Sequence, residues 1–411
     1  MVVYEANLRA LSPKVGFQAL TSRLDNIKKL GVNVLWVMPV QPVGKLRSAG
    51  GLGSPYAVAD FDKINPEFGT ALDFQMLVDS AHKRGIAVLI DWVPNHTAWD
   101  HPWIKAHPDW YTKDSSGNIV MPAGTNWQDV ADLNYDVAPL RKAMIKSMQG
   151  WVERYGIDGF RIDTADYLPF EFWKEAVPSI RSASKRPLFM LAEGFRPDHY
   201  KAGFDIAFGW PFFDALRDIY GGAPAKKLGQ NVAMEAKGIP QGARRLRFTT
   251  NHDKAAWEGT TREFFKTDAG AKGAFVAMAL HGGTPLIYTG QEANWQSRIP
   301  IFDHSVIDWT GEEKEGKWIG DLMTLRDSNL ALREGTLVDL STDNVIMFTK
   351  AHGKDQALVI VNPRDREASV SVAASLEGSW EEGLTGRSVK IDNSIRIPAY
   401  GFGIWVKTVG K

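Results

Sequence analysis

The chain has 411 residues, 44% apolar and 23% charged, with 48 basic residues balancing 48 acidic ones and no cysteine. That length exceeds one ordinary domain and the composition is that of a soluble globular protein, so two or three domains are expected. Zero net charge without a long basic run argues against nucleic acid and anionic membranes as partners; no apolar stretch is long enough to span a bilayer, and the lack of cysteine excludes disulfides, thiolate metal sites and a cysteine nucleophile.

Strand and helix patterns alternate from the start. Val2 to Leu8 reads as a first strand and Phe17 to Leu30 as an amphipathic helix. The opening Met1-Val2-Val3-Tyr4-Glu5 carries no charged-then-apolar signal; an extracellular or periplasmic location with the signal removed is expected ahead of a cytoplasmic one. Val32 to Val40 is the second strand, and Ala71 to Arg84 its helix, stopped by Gly85. Ile86 to Val93 is the third strand. Residues 97 to 137 then break the rhythm, too long for a simple connection, and read as an inserted subdomain. Here Trp99, Trp103, Trp110, Tyr111 and Trp127 crowd together without helical or strand period. They form either a small local core or stacking platforms for flat, amphipathic faces such as sugar rings.

The alternation resumes with helix Pro139 to Tyr155 and a fourth strand, Gly159 to Asp163. Helix Pro169 to Ala183 and a fifth strand, Leu188 to Glu193, follow. Phe204 to Trp210 is a sixth strand, with helical sequence from Phe212 to Lys237. Arg245 to Asn251 is the seventh strand, Ala269 to His281 its helix, Pro285 to Thr289 the eighth strand, and Gly316 to Arg333 a closing helix. Eight such units predict a (β/α)8 TIM barrel, residues 1–96 and 138–335, interrupted after its third strand. From 336 to 411 the pattern changes to short alternating runs (Val345 to Thr349, Ala357 to Val361, Ala368 to Val372, Ser388 to Ile391, Ile395 to Ile397, Phe402 to Val406), which predict a C-terminal antiparallel β-sandwich.

Four strands end in polar segments: Asp91-Trp92-Val93-Pro94-Asn95-His96, Gly159-Phe160-Arg161-Ile162-Asp163, Leu191-Ala192-Glu193-Gly194 and Thr250-Asn251-His252-Asp253. Side chains at the C-terminal ends of parallel strands converge on one mouth, where barrel enzymes do their chemistry. No Ser/His/Asp order or phosphate-binding glycine loop competes, and nothing calls for an organic cofactor. Asp163, Glu193 and Asp253 remain, and carboxyls at neighbouring strand ends can stand about 5 Å apart, as in a retaining glycosidase. Arg161, two residues before Asp163, points to the same face and is expected to keep that carboxylate ionised for attack. Glu193, after an apolar run, suits a general acid. Asp253 could hold sugar hydroxyls and a distorted ring, with His96 and His252 bonding the same ring.

These segments resemble those of glycoside hydrolase family 13, the α-amylase family, over nearly the whole chain. Gly31 to Val40 looks like the family's second strand, Ser54 to Phe61 like the loop whose tyrosine stacks on sugar, Ala131 to Asn134 like the motif near the end of domain B, and Gly283 to Glu292 like the eighth-strand motif. The resemblance implies Asp163 as nucleophile, Glu193 as acid/base and Asp253 as transition-state stabiliser, with Tyr56, Asp91, His96, Arg161 and His252 completing the cleavage subsite. It implies domain B at 97–137 and domain C at 336–411. It also implies a calcium ion between barrel and domain B, with Asn95, Asp132 and the Tyr167 carbonyl as ligands. Asp166-Tyr167 stand where many α-amylases have Lys-His, which leaves the leaving-group side open. Thr164, small and directly after Asp163, leans the linkage toward α-1,4. The expected protein is a monomer that acts endo on α-1,4-linked glucans and maltooligosaccharides. Within the family, a maltooligosaccharide- or cyclodextrin-degrading enzyme, an exo-α-glucosidase and a transglycosylase share the same catalytic set. A non-catalytic binding homologue would lose the carboxylates, and this chain keeps all three.

Overall fold

A computed structural model describes residues 1–11 and 16–408. Eight parallel strands close into a barrel: β1 (Val3–Ala6), β2 (Val34–Val37), β3 (Ala87–Trp92), β4 (Gly159–Ile162), β5 (Phe189–Ala192), β6 (Ile206–Phe208), β7 (Arg244–Arg247) and β8 (Thr284–Tyr288). Each pairs in parallel with the next, and β1 pairs with both β2 and β8. Helices cover the outside and side chains fill the inside, so β1, β2, β4 and β8 are buried along their whole length. The register sets the site: Asp91 stands opposite Arg161 and Glu5 opposite Trp36.

The first seven strands are each shorter than the run expected from sequence, because buried residues continue past the last ladder bond into the mouth, whereas the eighth keeps its length and shifts by one residue to Thr284–Tyr288. The seventh differs most. It stops at Arg247, so Thr250 to Asp253 lie beyond the sheet, and a π-helical turn, Lys254–Glu258, begins directly after Asp253. The sixth stops at Phe208; Trp210 opens helix Trp210–Tyr220 and packs on Phe208 and Phe248. The helical sequence expected from Phe212 to Lys237 divides into Trp210–Tyr220 and Lys227–Glu235, broken at Gly221-Gly222-Ala223-Pro224, and the closing helix divides at Asn329, whose side chain caps Leu330–Glu334. Among the described residues no helix is long and apolar enough to cross a membrane.

After β3, strands His96–Ala98 and Val130–Asp132 pair antiparallel at the neck of the insertion. Inside it, Trp103 packs against Phe61, His101 and the buried Trp110, so these two tryptophans form a local core. Trp127 faces the barrel mouth instead.

The C-terminal domain is a six-stranded antiparallel sheet in the order Thr336–Asp339, Ile346–His352, Asp355–Val361, Phe402–Thr408, Gly378–Glu382, Ser388–Ile391, with a two-stranded sheet of Ala368–Ser371 and Ser394–Ile397 packed on it. Its last three residues, 409–411, lie outside those described. Alternation along the strands divides the large sheet between two cores. Ile346, Phe348, Val359, Val361 and Ile404 join the barrel's core, whereas Val345, Met347, Leu358, Ile360 and Trp405 join the sandwich's own. Arg364 fastens the junction, donating to the carbonyls of Ile219 and Ala223 on the barrel at 2.5 and 2.7 Å.

Candidate active site

Arg161 is fully buried in the barrel mouth and gathers three carboxylates. Its Nη1 donates to Asp91 Oδ1 at 2.8 Å and to Asp163 Oδ1 at 3.0 Å, and Nη2 forms an ion pair with Glu193 Oε1 at 2.9 Å. Three neighbouring residues hold these groups still. Trp36 Nε1 and Tyr56 OH both donate to Asp91 Oδ2, at 3.1 and 3.2 Å. Thr164 donates its backbone N–H to Glu193 Oε2 at 2.7 Å and its hydroxyl to Asp163 Oδ2 at 3.2 Å. To reach both carboxyls Thr164 adopts φ 45°, a left-handed conformation costly for a β-branched residue and characteristic of functional sites.

One guanidinium does not neutralise three carboxylates, two of them buried and Glu193 partly so. Burial lifts Asp91 to about 6 despite Arg161. Burial and the charge of Glu193 push Asp163 well above the ordinary carboxylate range, again against Arg161. Arg161 still lowers Asp163, as expected from sequence, but it is shared among three carboxylates, and burial and the charge of Glu193 oppose it.

The two histidines are in opposite states. His96 is buried and its Nδ1 lies 3.1 Å from Asn95 Nδ2, a donor, so its own proton sits on Nε2; burial depresses it to about 4, and the ring is neutral. His252 Nδ1 lies 2.5 Å from Glu5 Oε1 and its Nε2 2.8 Å from Tyr56 OH, with Asp253 Oδ1 at 3.5 Å. Burial opposes its charge, but Asp253 and Glu5 together raise it to about 9, so it is an imidazolium. The Tyr56 ring stacks on it at 5.4 Å and 21°.

A cavity of about 680 Å³ opens over these groups, lined by Tyr56, His96, Asp163, Glu193, His252 and Asp253. Trp127 also lines it, with Arg47 and Gln128 from flanking loops and Trp257 and Phe302 beyond Asp253. Asp91 and Arg161 sit beneath its floor. Glu5, Trp36, Trp257 and Phe302 were not anticipated. Glu5 had a signal, as a lone carboxylate in an apolar strand; Trp257 and Phe302 had none. Asp166 is a brace: its Oδ1 lies 2.6 Å from His199 Nε2 and its Oδ2 accepts from Phe195 N at 2.8 Å, tying down the turn after Glu193.

The calcium ligands assemble only in part. Leu133 N donates to Asn95 O at 3.2 Å, and His96 pairs with Asp132, which brings Asn95 near Asp132. Tyr167 is exposed and its ring stacks on Trp127. Asp132 is the one carboxylate of the set, and among the described residues no group of three or more His, Asp or Glu side chains is arranged to hold a metal. Calcium takes six to eight oxygens and favours several carboxylates, so these residues fall short of a calcium cage.

Comparison with known proteins agrees with the fold. A family model described as the α-amylase catalytic domain matches residues 15–129 and 109–190. The chain is 27% identical over 404 residues to α-amylase MalA of Haloarcula japonica, covering 92% of this chain but 57% of the relative. It is 25% identical over 376 residues to a cyclomaltodextrinase of a Bacillus species, covering 84% of this chain and 65% of that one. The chain thus spans less than two thirds of the length of these two curated relatives. The crystal structure of a noncanonic maltogenic α-amylase, AmyB from Thermotoga neapolitana, superposes with a TM-score of 0.90 at 28% identity, covering 100% of this chain and 99% of that one. The closed (β/α)8 barrel, the C-terminal β-sandwich and these likenesses together support glycoside hydrolase family 13, the α-amylase family, as the family of this chain.

Proposed function

We propose that this chain is a retaining hydrolase of α-1,4-glucosidic bonds in starch-like glucans and maltooligosaccharides, cutting internally. Asp163 attacks the anomeric carbon. Glu193, as the general acid, gives a proton to the departing glycosidic oxygen and later, as the base, takes one from the attacking water. Asp253 and the His252 imidazolium bond hydroxyls of the reacting ring, and neutral His96 offers its Nε2 proton. Positive charge develops on the sugar in the transition state, and the three carboxylates stabilise it more than the neutral ground state. The observation that carries this reading is Arg161 holding Asp163 and Glu193 from adjacent strands on one guanidinium.

Proton NMR of maltopentaose hydrolysis tests it: the α-anomer should appear first, and first release of the β-anomer would overturn the assignment. Starch viscosity should fall well before much reducing sugar accumulates. The resemblance to a maltogenic amylase and a cyclomaltodextrinase favours a second reading, action on short or cyclic maltooligosaccharides. Faster turnover of β-cyclodextrin than of starch would establish it with the catalytic groups unchanged.

A further inference from the structure

Trp257 is 55% exposed, yet it lines the same cavity as Asp163, Glu193 and Asp253. It stands on the π-helical turn after Asp253, a backbone form that recurs at functional sites. The turn is anchored on several sides. Arg298 donates to Glu258 O at 3.0 Å, Arg217 pairs with the Glu258 carboxylate at 2.7 Å, and Lys254 pairs with that same carboxylate. Phe302 meets the Trp257 ring nearly edge-on at 5.4 Å. Phe302 is held in turn by Leu52 N, which donates to its carbonyl at 2.8 Å, and by Gly50, where a Cβ would come within 2.5 Å of the Phe302 Cβ. Trp257 and Phe302 together make an apolar face in the wall of the cavity that holds the reacting groups, and contiguous apolar faces of this kind mark ligand-binding grooves.

Position on the barrel adds a second argument. Trp257 follows β7, and Trp127 belongs to the insertion after β3. In an eight-stranded ring those strands are four apart in either direction, so the two rings rise on opposite sides of the mouth. Trp127 is backed by Tyr167, stacked at 6.0 Å and 19°. A ligand bridging both rings must be longer than the unit being cleaved.

We propose that Trp257, backed by Phe302, is a stacking subsite for a glucosyl ring of an α-glucan remote from the scissile bond. This rests on the reading of the cleft as a glucan site. The apolar C–H face of a pyranose would lie on the indole while its hydroxyls stay in water.

Calorimetric binding of maltohexaose to full-length protein with Glu193→Gln tests it without turnover. Adding Trp257→Ala should weaken binding about tenfold, whereas Trp257→Phe, which keeps a flat face, should stay within about threefold of the parent. Equal affinity for all three forms, or no binding by any, overturns the subsite. Turnover by the wild-type protein reports separately: an inactive wild type whose maltohexaose affinity still depends on Trp257 would sink the hydrolase reading and leave the subsite standing.

Discussion

Glu5 shows how much the charge state of one residue depends on another outside the substrate's reach. It lies in β1, fully buried, and contacts His252 rather than the cavity. With its folded value raised to about 9 from an ordinary 6.5, His252 binds its proton more tightly folded than unfolded. It therefore contributes stability that is complete below pH 6.5 and fades as pH climbs through 9. Proton-resolved NMR should find His252 titrating near 9 and His96 near 4. Glu5→Gln removes one of the two anions that hold the imidazolium, so the alkaline limb of kcat/KM should move down by about one pH unit or more. An unmoved limb would show that Asp253 alone is enough. The strand-end carboxylates, Arg161 and both histidines could be read from sequence because each follows an apolar run with a fixed exit point. The sharing of Arg161 could not, since it depends on Asp91 standing opposite Arg161 across the β3–β4 ladder.

At the scale of elements, β4 leaves no room for a side chain where it begins. Gly159 opens it at φ 146°, and a Cβ there would lie 1.8 Å from Phe189 O on the neighbouring strand. Gly159→Ala must push β4 from β5 and, with them, Asp163 from Glu193. It should cost about 3 kcal/mol or more in urea unfolding and lower activity beyond what stability explains. Elements with strong periodicity, such as helix Ala71–Lys83 with its Thr70 capping box, were legible to within a residue. Strands Thr336–Asp339 and Gly378–Glu382 were not, because one lies largely exposed and the other carries Trp380 as its one large apolar side chain. The neck between β3 and the insertion supplies the one metal-binding expectation, and its single carboxylate sets the outcome. Chelator should leave the thermal midpoint unchanged; a fall of several degrees reversed by added calcium would mean that backbone and water complete the cage.

For the whole molecule, barrel closure brings residues hundreds of positions apart into bonding distance, as Glu5 and His252 show. Order and length of the alternating units are enough to anticipate that closure. The paired rings at Trp127 and Trp257 are a different matter: their placement follows from loop paths, which carry no periodic signal.

The six-stranded sheet has no solvent-facing side along its central strands, because one face completes the barrel's packing and the other the sandwich's. Neither half can therefore melt alone without baring a wall of Ile, Val and Phe. Scanning calorimetry should show a single endotherm, and two resolved transitions would contradict this. For protein engineering the implication is a boundary that runs through the sheet and not along the chain at residue 335. Grafting this terminal domain from a relative would succeed only if the barrel helices that touch Phe348 and Val359 travelled with it.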